Sequence, residues 1–217
     1  MLVDDTPVDK PGAQVRAESQ VRLRGEPRRF VSRGGEKLAG ALADLAVGPA
    51  GKRCLDVGAS TGGFTDCLLA AGASRVVAVD VGYGQLALRL REDPRVVVLE
   101  RRNARGLEPA DVQGPVDLVT VDVSFISLRL LLPALVRVAP EADLLLLVKP
   151  QFEVGKGRVG KGGVVRDEGL RAQVVREVRE AAEALGLEVL GEAESRLAGP
   201  KGNREVFLHL RRRSARG

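Results

Sequence analysis

The chain has no tryptophan, a single histidine (His209), two cysteines (Cys54 and Cys67) and only 3% aromatic residues. Each scarcity removes a class of function. A lone histidine excludes most nucleophile–histidine catalysis and most zinc hydrolysis. The cysteines stand outside any metal-ligand spacing, in segments that read as strand and helix, and are expected to be buried free thiols. So few aromatics leave no broad stacking platform for nucleic acid. No apolar run approaches the roughly 20 residues of a membrane helix. The amino-terminal MLVDDTPVDKPG lacks the basic start and apolar core of a signal peptide. A cytoplasmic protein without a membrane partner is expected, with its chemistry supplied by Lys, Asp, Glu or a cofactor.

Charge is plentiful. Hydrophobic residues at 44% and charged residues at 29% describe a globular chain, and 217 residues suit one main domain with a small appendage. The net charge of +5 is clustered: Arg22, Arg24, Arg28, Arg29 and Arg33 near the start, Lys156, Arg158 and Lys161 later, and Arg211, Arg212, Arg213 and Arg216 at the end. Clustered cations attract polyanions, nucleic acid first. A solvated, arginine-rich surface is the alternative.

Residues 1–26 are polar and punctuated by valine, which predicts short strands and turns in an appendage without its own core. A basic linker over 27–35, a main domain over 36–213 and a tail over 214–217 complete the expected organisation. From Glu36, Leu38, Ala41, Leu42 and Leu45 recur at helical spacing until Gly48-Pro49. Strands are expected at RCLDVG (53–58), RVVAVDV (75–81), RVVVLE (95–100), VDLVTVDV (116–123) and DLLLLVK (143–149). CLLAAG, QLALRLRE, ISLRLLLPALVRVA and 168–185 read as helices. Near-continuous apolar strands separated by helices predict an α/β, doubly wound, mostly parallel sheet. LEVLGEAESRL and REVFLHLRR also read as strands, and the AGPKGN between them is too short for a crossover helix. The last strand is therefore expected to run antiparallel.

The first strand enters LDVGASTGGFTD, a glycine turn that lets a ligand approach a helix amino end. Gly58 and Gly63 have the Walker interval, but Phe64 stands where the phosphate-binding lysine belongs. The dinucleotide fingerprint fails at Ser60, which weakens an NAD reading. An adenosine ligand without phosphates fits better, with Asp56 addressing a cationic amino-acid portion and Asp80 the ribose hydroxyls. A tight turn with nothing bound is the bland alternative. A second tract, VGKGRVGKGG, nearly spells a Walker loop but has Gly162 at the required hydroxyl position. It reads either as a basic lid over a polyanion or as a surface loop.

LDVGASTGG followed by VVAVDVG resembles motifs I and II of the Rossmann-like, class I S-adenosylmethionine-dependent methyltransferases. That resemblance implies a seven-stranded sheet and an S-adenosylmethionine site drawn from Asp56, Gly58, Ser60, Gly62, Gly63, Phe64, Asp80, Asn103 and Asp122. Asn103 would lie near the adenine and Asp122 near the reacting methyl. Ligands of open parallel sheets bind at the carboxyl ends of strands. Asp122 and Lys149 end two neighbouring strands there, and Glu205 opens the reversed last strand on the same rim. Lys37 would have to be brought over by its helix. In that company Lys149, its ammonium disfavoured by an apolar setting, is expected to accept a proton from a ribose hydroxyl, with Asp122 orienting it and Lys37 and Glu205 placing the hydroxyl. A strand-ending lysine that snorkels to solvent is the alternative.

SRGGEKL, VDVSFISL, VKPQFE and GNREVF closely resemble, in order, motifs of the FtsJ-like ribose methyltransferases, most closely their TlyA branch, which also carries the name hemolysin. The resemblance implies a Lys37–Asp122–Lys149–Glu205 tetrad and 2′-O-methylation of cytidine in ribosomal RNA, with the ribosomal subunits as partners and no DNA. VDDTPVDKPGAQV resembles only the tail of that branch's ribosomal-protein-S-four-like RNA-binding domain. The RNA contacts expected are Arg28, Arg29, Arg33, Lys156, Arg158 and Lys161, with Phe125 and Phe152 stacking on an extruded base. Packing of both phenylalanines in the core is the alternative. A non-catalytic RNA-binding or assembly factor, a membrane-lytic protein and an NAD-dependent oxidoreductase remain as competing functions.

Overall fold

Alternation along the strands decides which side chains meet in this protein. The computed structural model describes residues 2–8, 13–22, 29–155, 157–160 and 162–213. Strands β1 (Leu2–Val3), β2 (Thr6–Pro7) and β3 (Val21–Arg22) form a small antiparallel sheet in the order β2-β1-β3, with no fully buried residue among them. The main domain follows with α1 (Arg33–Asp44), β4 (Arg53–Val57), α2 (Gly63–Ala70), β5 (Arg75–Val79), α3 (Leu88–Arg91) and β6 (Val96–Leu99). It continues with β7 (Leu118–Val121), α4 (Leu132–Val138), β8 (Asp143–Val148), α5 (Pro150–Glu153), α6 (Glu168–Glu183), β9 (Leu187–Glu194) and β10 (Val206–Arg212). Seven strands form one sheet in the order β6-β5-β4-β7-β8-β10-β9. The pairs from β6 to β8 are parallel, and β10 runs antiparallel to both its neighbours.

Successive strand residues point to opposite faces, and each face has its own core. Leu55, Val57, Val119, Val121, Leu144, Leu146, Val148, Leu208 and Leu210 pack with α4 and α6. Cys54, Val76, Ala78, Leu118, Leu145, Leu147 and Phe207 pack with α1 and α2.

Three expectations change. Ser32 caps α1 by accepting from the Gly34 N–H (3.3 Å), so the helix begins at Arg33, and Phe30 is buried in the α1/α2 core. Residues 30–35 thus pack with the domain instead of forming a linker. QLALRLRE yields a single turn, α3, which leaves Leu88 exposed. ISLRLLLPALVRVA is broken, because Pro133 lacks an N–H and fits only the first turn of a helix; a 3₁₀ turn over Leu128–Leu130 precedes α4.

Candidate active site

Side-chain parity brings the proposed site together. Lys149 has the same parity as Leu145 and Leu147, Asp122 the same as Leu118, and Glu205 the same as Phe207, so all three face the α1 side of the sheet. Lys37 comes from α1 itself, where the helical spacing that buries Leu38, Ala41 and Leu42 also buries it. Its Nζ lies 2.5 Å from Glu205 Oε2, with Glu205 fully buried and the lysine side chain 9% exposed. Lys149 Nζ pairs with Asp122 Oδ1 and donates to Ser124 Oγ (3.2 Å). The strand-ending lysine is therefore held in place, not released to solvent. Lys37, Asp122, Lys149, Ser32 and Arg33 line one hollow of about 290 Å³.

A second cavity of about 450 Å³ adjoins it, lined by Gly58, Ser60, Asp80, Asn103, Asp122 and Phe125 among others, with Val79, Val81, Ile126 and Leu131 as apolar walls. Gly58, Ser60, Asp122 and Ser124 border both spaces. Gly58 has φ +86°, and a side chain there would collide with the Asp122 carbonyl, so only glycine lets the two strand ends approach. Asp80 accepts from the N–H groups of Ser60 (2.8 Å) and Gly82 (2.6 Å), fixing the turn while its carboxylate borders the cavity.

Other candidates lie elsewhere. Asp56 is buried under α2, accepting from Thr65 Oγ1 (2.7 Å) and Thr120 Oγ1 (3.2 Å), and borders neither space. Burial pushes its carboxyl up to about 7, with the nearby Asp122 charge adding to the rise and both threonine hydroxyls opposing it. The carboxyl expected to address a ligand's ammonium is thus engaged by Thr65 and Thr120. Gly62 has φ +97°, which favours glycine, and a side chain there would also meet the methyl tips of Leu86 and Leu90. Phe64 is a core residue that stacks on Phe207 at 6.1 Å while touching the edge of the smaller hollow, where Gly63 also lies. Burial pushes both cysteine thiols up to about 12, consistent with inert core residues.

Phe125 is 90% exposed, which removes core packing as its explanation. Its ring lies 5.0 Å from that of the half-buried Phe152, tilted by 52°. Arg29 is exposed and stacks over Phe30, and Arg33 donates to the Ala198 carbonyl (3.2 Å) at the hollow's edge. Arg158 donates to Gln173 Oε1 (3.4 Å). Arg28, Lys156 and Lys161 lie outside the described residues. The sequence reading missed Ser124 and Glu153. Each sits in a quoted motif close to a proposed catalytic residue, which was the available signal.

The FtsJ-like methyltransferase family matches residues 30–212. The chain is 56% identical over 216 residues to the 16S/23S rRNA (cytidine-2′-O)-methyltransferase TlyA of Mycobacterium tuberculosis, covering 99% of this chain and 81% of that protein. It is 40% identical to Hemolysin A of Brachyspira hyodysenteriae, covering 84% of this chain and 77% of that one. A solved structure of a hemolysin-named protein from Streptococcus thermophilus superposes with a TM-score of 0.86 at 41% identity, over 99% of this chain and 80% of the other. The match spans the sheet, the glycine turn and all four tetrad positions, and the chain belongs to the FtsJ-like methyltransferase family.

Proposed function

We propose that the chain transfers a methyl group from S-adenosylmethionine to a ribose 2′-hydroxyl of ribosomal RNA, at cytidine, in the cytoplasm. One observation carries the reading: two lysine–carboxylate pairs, one buried and one partly exposed, converge on a hollow that shares its wall with a nucleoside-sized cavity. The cavity suits a nucleoside without phosphates. Two carboxylates, Asp80 and Asp122, border it, and among the described residues its one arginine, Arg102, is committed to Asp111 at 2.5 Å. Gly58, Ser60, Asp80, Asn103 and Asp122 are the residues that would hold S-adenosylmethionine, which supplies a methyl group activated by its sulfonium.

The chain's own residues do the rest. Lys149 Nζ, oriented by Asp122 and steadied by Ser124, is placed to take the hydroxyl proton in its amine form. Lys37, fixed by Glu205, presents its ammonium to the ribose and orients the attacking oxygen. Arg29, Arg33 and Arg158 supply phosphate contacts, and the exposed Phe125 with Phe152 receives the extruded base. Cytidine and ribosomal RNA as substrate follow the mycobacterial relative's name.

The test is transfer of labelled methyl from S-adenosylmethionine to rRNA lacking the modification, with mapping of the methylated riboses. Transfer to ribose that vanishes in Lys149→Ala is the expected result. RNA binding without transfer would instead make the chain an assembly factor. The hemolysin names borne by relatives raise a membrane-lytic reading. Among the described residues no helix is long and apolar enough to cross a membrane, and dye release from liposomes checks that reading directly.

A further inference from the structure

Residues 122–128 form a loop along the rim of both cavities, and the segment from Lys149 through α5 grips it at two points. At one end Lys149 holds Asp122 and Ser124. At the other end Glu153, 4% exposed, accepts from Ser127 Oγ at Oε2 (2.6 Å) and from the Leu128 N–H at Oε1 (2.8 Å). Arg129 closes this second grip: its Nη2 donates to the Glu153 carbonyl (3.2 Å), its Nε donates to Ser127 Oγ (3.2 Å), and its Nε also lies 3.6 Å from Glu153 Oε2.

Between the two grips stands Phe125. Its φ of +66° is a strained conformation for a bulky residue, and with 90% of its surface exposed no burial in the core stabilises it. Its tilted contact with Phe152, on α5 itself, and the anchoring of the loop ends hold its ring. Strain of this kind persists only where the surroundings over-determine the backbone.

We propose that Glu153 is a positioning residue: by anchoring Ser127 and Leu128 it holds Phe125 in the pose that receives the target base, and through α5 it ties that pose to Lys149. The inference rests on the ribose methyl-transfer reading above. The choice of residue supports it. Burial pushes the Glu153 carboxyl above its usual range, opposed by the hydrogen bonds from Ser127 and Leu128, so an ionised group here is disfavoured by its setting. Its advantage is two acceptor oxygens facing two donors. A glutamine offers one acceptor and sets an NH₂ against either a hydroxyl that already receives Arg129 or a backbone N–H.

The experiment combines Glu153→Gln with Phe125→Ala in a two-by-two cycle, measuring kcat and KM for rRNA separately. Glu153→Gln alone is expected to lower kcat/KM by about tenfold, mainly through KM. In the Phe125→Ala background the same change is expected to cost less than about twofold, because the ring it positions is gone. Equal losses in both backgrounds, or no loss in either, would overturn the proposal. A second readout is independent of methyl transfer. The chain has no tryptophan, so F125W reports the loop alone. E153Q is expected to lower the emission anisotropy of F125W and raise its quenching by acrylamide, and unchanged emission would refute the positioning role. If the unmodified protein transfers no methyl to rRNA, the functional reading fails on its own, and the tryptophan signal still decides what Glu153 does.

Discussion

β8 begins with Asp143 and is followed by Lys149, so one strand carries a buried charge at each rim of the sheet. Three basic side chains surround Asp143: Arg211 at 2.6 Å through Nε, Lys52 at 3.5 Å and the imidazole of His209 at 3.4 Å. Burial works to raise its carboxyl, but Arg211, His209 and Lys52 together outweigh that and hold it below the usual carboxylate range. Among the described residues Lys149 pairs with one carboxylate, donates to one hydroxyl, lies 5.9 Å from the centre of the Phe152 ring and faces a hollow. A buried charge ringed by partners is committed to the fold. One with a single ionic partner beside open space is available for chemistry.

The sharpest way to break this comparison is to delete each charge. Lys149→Ala is expected to lower methyl transfer by about 10²–10⁴-fold, the usual contribution of a positioned proton acceptor. Its unfolding midpoint in urea should stay close to that of the parent. Full activity in this variant would end the catalytic assignment.

Asp56 offers the next largest effect, and its contrast with Asp143 concerns two buried acids displaced in opposite directions. Asp56 is pushed from 3.8 to about 7, so between those values the folded chain holds a proton that the unfolded chain has released. Its contribution to stability therefore falls as pH rises from about 4 to about 7 and is level above that, with a slope approaching about 1.4 kcal/mol per pH unit. Asp143 is shifted down, so its contribution is present above the unfolded value of 3.8 and is lost as pH falls below it. Urea unfolding across this range should show Asp56→Asn flattening the slope between pH 4 and 7 while the acid limb survives. A wild-type profile that is already flat in that window would mean Asp56 is ionised in the folded protein.

That pair of acids also marks how far the sequence could be read. The seven strands, the antiparallel last strand and the face on which Asp122, Lys149 and Glu205 lie all follow from period-two alternation and from the short AGPKGN connection. Alternation does not say whether a face is covered. Asp56 and Asp122 share one face of neighbouring strands, but α2 places Thr65 over Asp56 and leaves Asp122 at the cavity. Gly62 shows the same limit: a glycine that suits a left-handed turn beside Leu86 and Leu90 looks, in the sequence, like one that admits a ligand. The exposure of Phe125 was illegible for a related reason. A phenylalanine between the buried Val121 and Leu128 belongs in a core unless the backbone turns, and the turn here uses a positive φ that no glycine announces.

Asp143→Ala comes next. It should destabilise the chain by about 2 kcal/mol, less than removing one partner of a fully enclosed pair, because Arg211 and Lys52 can turn to water. Methyl transfer per folded molecule should be unchanged. Loss of activity with no shift in the unfolding midpoint would reverse the assignment of the two rims.

The smallest effect is expected where geometry looks best and burial is least. Arg196 grips Asp44 with two parallel hydrogen bonds, 3.0 Å from Nε and 2.5 Å from Nη2, and holds the Asp44 carboxyl below its usual range. Asp44 closes α1, the helix that carries Lys37, so a strong pair here could influence the site. The Arg196 side chain is 60% exposed, however, and water solvates both ions whether or not they touch. Asp44→Ala should therefore leave both the unfolding midpoint and kcat/KM unchanged within error, at low and at high salt. A salt-sensitive loss of activity in that variant would mean that α1 is held by its outer end, and that short distances, more than burial, separate structural from catalytic charge in this fold.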